Sequence, residues 1–450
     1  MKKVLSLVAM TVCLLVMCGC SLRSPEEMYT LPQPPAEYNS LNTCIQETMV
    51  KLGAEYAAPL SGDNTQTVQL VDLNGDKVNE AVAFFRVTGD DKPLKVYMFR
   101  QDQEGNYSSY AVIEGEGTAI YSISYENLGK GIGSEIIVSW RMSEKVHSLA
   151  AYYVGADGVT EWMRTGYSGY RIMDMDMDNQ KEILVLQVDV TENKSRVELF
   201  DYQDNTMILC ASAPMSSGIK SINAVRTGFL RESVPALFVA SAFGGGNGVL
   251  TDIFAWQNGT LANVTLDEER GQSLATVRYY NLVSGTDING DNVLEIPIPE
   301  ALPVYQKTTV GTAADFWVVD WRQYDINGNA WSVGQTYHNV QDRWYLILPE
   351  EWYSRLTLTR KDNTVYNERG VVFSLWRGEY TEPVPFLVIY RLTGDSRESR
   401  GQIGNRFILE TQSDAVYAAE FLDYGWDCGV NRQELQERFR LIKTTWSDDD

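Results

Sequence analysis

Three nonapeptides of the form D-x-[N/D]-x-D-x-x-x-E hold the residues best placed to do chemistry. They are Asp72, Asn74, Asp76 and Glu80; Asp174, Asp176, Asp178 and Glu182; and Asp287, Asn289, Asp291 and Glu295. Side-chain oxygens from positions one, three, five and nine of a tight loop converge on one point, and Ca²⁺ takes about six to eight such hard oxygens. The second copy puts four carboxylates into nine residues, which repel strongly at short range and low effective dielectric unless a cation offsets them. The same acids also suit Asx-type turns, in which each caps its own backbone N–H groups and faces water. Spacing alone leaves both readings open.

Other chemistry is thinly represented. His147 and His338 are the only histidines, and no G-x-S-x-G, H-E-x-x-H or nucleotide-binding fingerprint is present. The run Gly244-Gly-Gly246-Asn247-Gly248 lacks the Lys-Ser/Thr of a phosphate loop and reads as a turn between strands. A glycosidase needs only two carboxylates, and 60 acidic residues hide any such pair. A non-catalytic binding role is therefore preferred. The chain has 11 Trp and 25 Tyr, enough to line a sugar- or peptide-binding face. Trp317, Trp321, Trp331, Trp344 and Trp352 fall close together; exposed in a groove they would be a ligand site, and buried they would fill a core between two domains.

The elements that must position these residues follow a repeat. The closing Glu of the acidic loop recurs as Glu80, Glu135, Glu182 and Glu295, with Pro235 in the remaining slot, at steps of roughly 55, 47, 53 and 60 residues. An apolar run follows each marker, then an aromatic hairpin whose tip is Gly105, Gly158, Asn205, Gly259 or Gly328, residue types that suit positive φ. Units of about 50 residues with four short strands predict a mainly β fold, a five-bladed β-propeller-like domain over 64–336.

At the acidic loops the units resemble the FG-GAP/VCBS repeat family, whose blades carry D-x-N-G-D-G-x-x-D. The resemblance implies calcium as cofactor, held by Asp72, Asn74, Asp76 and Glu80, by Asp174, Asp176, Asp178 and Glu182, and by Asp287, Asn289, Asp291 and Glu295. The second unit departs from the pattern with Asn127, Gly129 and Gly131, and the fourth with Thr227, Phe229 and Arg231. The sixth-position glycine is replaced by Lys77, Asn179 and Asn292.

The flanking segments complete the reading. Residues 1–20 have a basic start at Lys2 and Lys3, an apolar stretch from Val4 to Val16, and Met17-Cys18-Gly19-Cys20, which resembles the lipobox of bacterial lipoproteins. The resemblance implies acylation of Cys20 by membrane lipid and an extracytoplasmic location on the cell membrane. Residues 21–35 are a Pro-rich tether, and 36–63 a helical lead-in with one helix from Tyr38 to Ala58. After 337 the repeat stops: six expected strands and a helix N-capped by Asn431 with Glu434, carrying Leu435, Phe439 and Ile442 on one face, predict a small α+β domain to residue 450.

Cys44, Cys210 and Cys428 have no zinc or disulfide spacing and read as small buried residues. Without Lys2 and Lys3, 36 basic residues face 60 acidic ones, a balance near −24 that repels nucleic acid. The expected function is a membrane-anchored binding or scaffold module for a protein partner, with carbohydrate binding or processing as the alternative.

Overall fold

The computed structural model describes residues 38–129, 131–155, 158–189, 191–244, 248–279, 283–305, 316–423 and 426–442. The expected lipoprotein signal peptide (1–20) with Cys20, the expected tether (21–35) and residues 443–450 lie outside the described residues. No helix among the described residues is long and apolar enough to cross a membrane. The described residues are mainly β, in six antiparallel sheets, and the chain divides into two compact units.

The first unit comprises 38–58, 66–72 and 77–116. Helix α1 (Asn39–Leu52) ends at Gly53, whose φ of 62° gives the left-handed turn that stops it. The expected continuation to Ala58 is instead a short strand, β1 (Ala54–Tyr56), on the edge of a sheet with β2 (Val68–Val71), β3 (Glu80–Val87), β4 (Leu94–Gln101) and β5 (Tyr107–Gly115). Leu41 and Ile45, one helical turn apart, bury against Ala81, Ala83, Phe85 and Phe99.

The second unit holds 59–65, 73–76 and 117–442. Three four-stranded meanders come first: β6 (Ala119–Glu126), β7 (Glu135–Arg141), β8 (His147–Gly155) and β9 (Gly158–Tyr167); β10 (Gly169–Met173), β11 (Glu182–Gln187), β12 (Arg196–Gln203) and β13 (Thr206–Pro214); β14 (Ile219–Phe229), β15 (Pro235–Phe243), β16 (Gly248–Gln257) and β17 (Thr260–Asn263). The next sheet runs β18 (Ile296–Ala301), β19 (Trp317–Tyr324), β20 (Ala330–Asn339) and β21 (Trp344–Ile347). The last contains β22 (Leu356–Arg360), β23 (Glu368–Leu375), β24 (Val384–Thr393), β25 (Phe407–Thr411) and β26 (Ala415–Phe421), with a short α2 (Arg397–Arg400). Helix α3 (Arg432–Arg438) then leads into β27 (Phe439–Leu441), which pairs with β21.

Each sheet of the second unit buries a face against the next. Ile137 and Leu149 meet Ile183 and Val185; Leu184 and Leu199 meet Leu237 and Phe254; Phe238 and Ile253 meet Ile296 and Tyr324. Apolar side chains at alternate strand positions explain this layering, since each strand presents one set to either side.

The expected boundary at 337 falls inside β20, and the core spanning it runs from Val318 and Tyr337 to Phe373 and Phe439. A single apolar cluster spans the expected boundary. Cys210, expected buried, is exposed on β13, while Cys428 is buried and Cys44 half-buried.

Candidate metal centre

The repeat marker has one structural job wherever it is acidic in the second unit. Glu135 opens β7 and Glu182 opens β11, while Glu295 stands just before β18; all three are buried. In each case Oε2 accepts the backbone N–H of the residue seven places earlier: Leu128 at 2.8 Å, Met175 at 2.6 Å and Ile288 at 2.9 Å. The glutamate therefore staples its loop closed from inside, whether or not the loop has ligand acids. Pro235 opens β15 without a carboxylate to do this.

The loops share backbone geometry that their sequences conceal. The position where the repeat family has glycine is left-handed in all three, with φ of 71° at Lys77, 69° at Asn179 and 67° at Asn292. Position four is also left-handed, occupied by Gly75, Met177 and Gly290. Met177 is the one side chain that pays steric strain there. The five hairpin tips, Gly105, Gly158, Asn205, Gly259 and Gly328, all have positive φ as their types required.

Asp174, Asp176, Asp178 and Glu182 bring one oxygen each to within 4.8 Å of one another. Their turns are also real: Asp174 Oδ2 accepts from Asn179 N–H at 3.0 Å, Asp176 Oδ1 from Asp178 N–H at 3.2 Å, and Asp178 Oδ1 from Gln180 N–H at 2.7 Å. Capping uses only part of the oxygen set. Asp174 Oδ1 is buried with no hydrogen-bond partner. Burial pushes the Glu182 carboxyl up to about 8, opposed by the Met175 N–H and reinforced by Asp176, Asp201 and Asp174. Burial and the neighbouring Asp178 raise Asp176 as well. This is an electrostatic deficit of the kind a hard divalent cation fills.

The third loop is closed differently. Asp287, Asp291 and Glu295 also converge within 4.8 Å. Here the Gln323 side-chain amide donates to both Asp291 Oδ2 (2.7 Å) and Glu295 Oε1 (2.8 Å). Its own carbonyl accepts from Arg231 Nη1 at 3.0 Å. Both Asp287 oxygens are engaged, Oδ1 by the N–H groups of Gly290 and Asp291 and Oδ2 by that of Asn292. Burial alone would raise Asp291, but the Val293 N–H, the Gln323 and Asn289 amides and the Arg231 charge hold it below the usual carboxylate range. Protein donors thus supply in this loop what the second loop lacks. Arg231 occupies position five of the fourth repeat, where the pattern has an acid, and Gln323 lies on β19; nothing in the spacing marked either one.

In the first loop Asp72 Oδ2 accepts from Lys77 N–H at 2.8 Å and Asn74 Oδ1 from Asp76 N–H at 2.8 Å, the same turn seen in the other two.

The five tryptophans do not make a joint face. Trp321, Trp344 and Trp352 are buried to within 1% of full. Trp321 Nε1 donates to Thr336 Oγ1 and Trp352 Nε1 to the Cys428 carbonyl, both at 2.8 Å, so their polar handles are satisfied inside the core. Trp317 is half-buried, and Trp331 is 40% exposed with the Arg231 guanidinium 4.8 Å from its ring centroid. Of the two outcomes open to these residues, Trp321, Trp344 and Trp352 take the buried one, while Trp317 and Trp331 keep partial exposure.

Both histidines pack among aromatic rings. His338 stacks on Tyr345 at 4.9 Å, and burial lowers it to about 4. His147 lies between Tyr121 and Tyr167 and is also pulled down by burial.

No family model and no curated protein matches the chain. Among solved structures it is similar to a protein from Lactobacillus plantarum at 11% identity and a TM-score of 0.26, over 72% of this chain and 88% of the other. It is also similar to the Dos1 propeller at 7% identity and a TM-score of 0.29, over 81% of each chain.

Proposed function

We propose that the chain is a non-catalytic binding module of a bacterial cell envelope, anchored by lipid on Cys20, built of FG-GAP/VCBS-like propeller blades and stabilised by calcium. The observation that carries the reading is the second acidic loop, where four carboxylates converge and Asp174 Oδ1 is buried without a partner. Asp174, Asp176, Asp178 and Glu182 would hold the ion through hard oxygens, a donor set that fits Ca²⁺. The bound charge would offset carboxylate repulsion and so couple loop closure to folding. Asp72, Asn74, Asp76 and Glu80 form a related candidate; at Asp287, Asn289, Asp291 and Glu295 the Gln323 amide competes with any ion for the same oxygens.

A protein partner is the preferred occupant of the module. The burial of Trp321, Trp344 and Trp352 speaks against the carbohydrate alternative, which rested on an exposed aromatic face. Both histidines are packed among aromatic rings, which favours binding over catalysis.

Calcium titration of the chelator-treated chain by calorimetry tests the ion. Binding that disappears in Asp174→Asn/Asp176→Asn is expected; no heat and an unchanged melting temperature would remove calcium from the reading. Crosslinking in cells tests the partner, with reproducible capture of one protein expected and capture of glycan alone reversing the preference.

A further inference from the structure

A second site of opposite charge lies on the sheet β14–β17. A cavity of about 120 Å³ opens there between β14, β15, β16 and the segment 283–296. Arg278 is among its lining residues and is only 5% exposed. Its backbone is fixed as an extension of the sheet, exchanging two 2.8 Å hydrogen bonds with Val249. Its Nη1 is spent on Thr251 Oγ1 (3.0 Å) and the Thr276 carbonyl (3.1 Å). Nε is buried with no partner, and Nη2 makes no hydrogen bond among the described residues.

Among the described residues no carboxylate pairs with this charge. Burial draws Arg278 down to about 10, and Tyr324 is the one group opposing the shift. The lining contains no acidic residue, and it adds a second guanidinium at the rim, Arg226, tied to the Gly285 carbonyl at 3.0 Å. In a chain with 60 acids and 38 bases, a buried arginine left without an acid is a strong local exception. An uncompensated buried charge is costly, so such a group is retained where something arrives to pair with it.

Nε–H and Nη2–H lie on one edge of the guanidinium and point in parallel, the fork that meets two oxygens of one carboxylate. The remaining walls include Phe238, Ala240, Leu294 and Ile296, which suit an aliphatic group. We propose that this cavity binds a small organic monocarboxylate, its charge paired with the Arg278 guanidinium and its short apolar tail against Phe238, Ala240, Leu294 and Ile296.

Calorimetric titration of the purified chain with butyrate, butyramide and inorganic phosphate at constant ionic strength tests this. Butyrate is expected to bind at least about tenfold more tightly than butyramide, a difference of about 1.4 kcal/mol, and more tightly than phosphate. Arg278→Lys, which keeps the charge but not the fork, is expected to weaken butyrate about tenfold or more. Since that residue is buried, Ala240→Leu provides an independent variant that fills the cavity and is expected to abolish binding with an unchanged circular dichroism spectrum. Equal affinity for butyrate and butyramide, tighter binding of phosphate, undiminished binding in a folded Ala240→Leu, or no binding by the wild-type chain would each overturn the assignment.

Discussion

Single residues in the acidic loops show how far a sequence pattern translates into backbone. Position six is left-handed without glycine: Lys77, Asn179 and Asn292 all take that form. Asparagine does so readily because its short amide tolerates that region, and lysine at greater cost. Position four offers a sharper test. Gly75 and Gly290 suit it, whereas Met177 holds φ 64° with a side chain 61% exposed and little packing to repay the strain. Met177→Gly is therefore expected to stabilise the chelated protein by about 1 kcal/mol, read from the denaturant midpoint; a loss of stability would show that the methionine packs more than its exposure implies. His338 gives a prediction with a defined pH window. Its folded value of about 4 lies below its ordinary 6.5 because burial disfavours the imidazolium. The unfolded chain therefore takes up the proton first, and the stability contributed by neutral His338 is lost as pH falls from about 6.5 toward 4. His338→Gln should flatten the stability profile in that interval, and an unchanged slope would mean that His338 protonates without unfolding.

At the scale of elements, legibility depended on whether the deciding information was local. Turn tips were readable because positive φ restricts residue type, and all five carry it. The markers were readable too, since Glu135 and Glu182 open strands just where an apolar run begins. All six strands expected after residue 337 are present as β21 to β26. The capping box was also readable: Asn431 Oδ1 accepts from Glu434 N–H at 3.0 Å, and Glu434 Oε2 accepts from Asn431 N–H at 2.9 Å. What failed was decided at a distance. Phe439 has helical spacing from Leu435, yet it leaves α3 to start β27, because Trp344 and Tyr417 offer it a buried aromatic niche beside β21. The N-terminal helix stops early for a related reason, as Ala54–Tyr56 gain a ladder with β3. The Gln323 bridge and the Arg278 cavity were invisible for the same reason: each joins residues tens of positions apart, and neither uses a recognised spacing. Because α3 is a short helix whose cap is its main local support, Asn431→Ala should cost about 1 kcal/mol. A midpoint shift near zero would mean that β27 pairing holds the segment without the cap.

For the whole molecule the governing quantity is charge. A net charge of −22 makes any added cation stabilising in a general way, by screening repulsion among surface acids. A calcium site has to be told apart from that background. Screening depends on ionic strength and not on which divalent ion provides it, whereas an oxygen cage sized for Ca²⁺ discriminates against Mg²⁺, which keeps its waters and demands octahedral geometry. At fixed ionic strength, calcium at about 100 times its dissociation constant should add about 2.7 kcal/mol, and magnesium much less. Asp174→Asn/Asp176→Asn should erase this ion-specific increment while leaving the response to sodium chloride intact. Glu182 adds a proton signature. Its carboxyl lies near 8 without the ion, so at neutral pH it is largely protonated and must release a proton to ligate calcium. Calcium affinity should therefore rise from pH 6 to pH 8.5, with heats that change between buffers of different ionisation enthalpy. In the absence of calcium the sign reverses for stability: the folded carboxyl titrates above the unfolded one, so the fold weakens as pH climbs from about 4.5 toward 8. Glu182→Gln should remove both trends together. If the calcium increment survived that substitution with its pH dependence intact, the ion would have to sit elsewhere in this acidic surface, and the second loop would be a stapled turn.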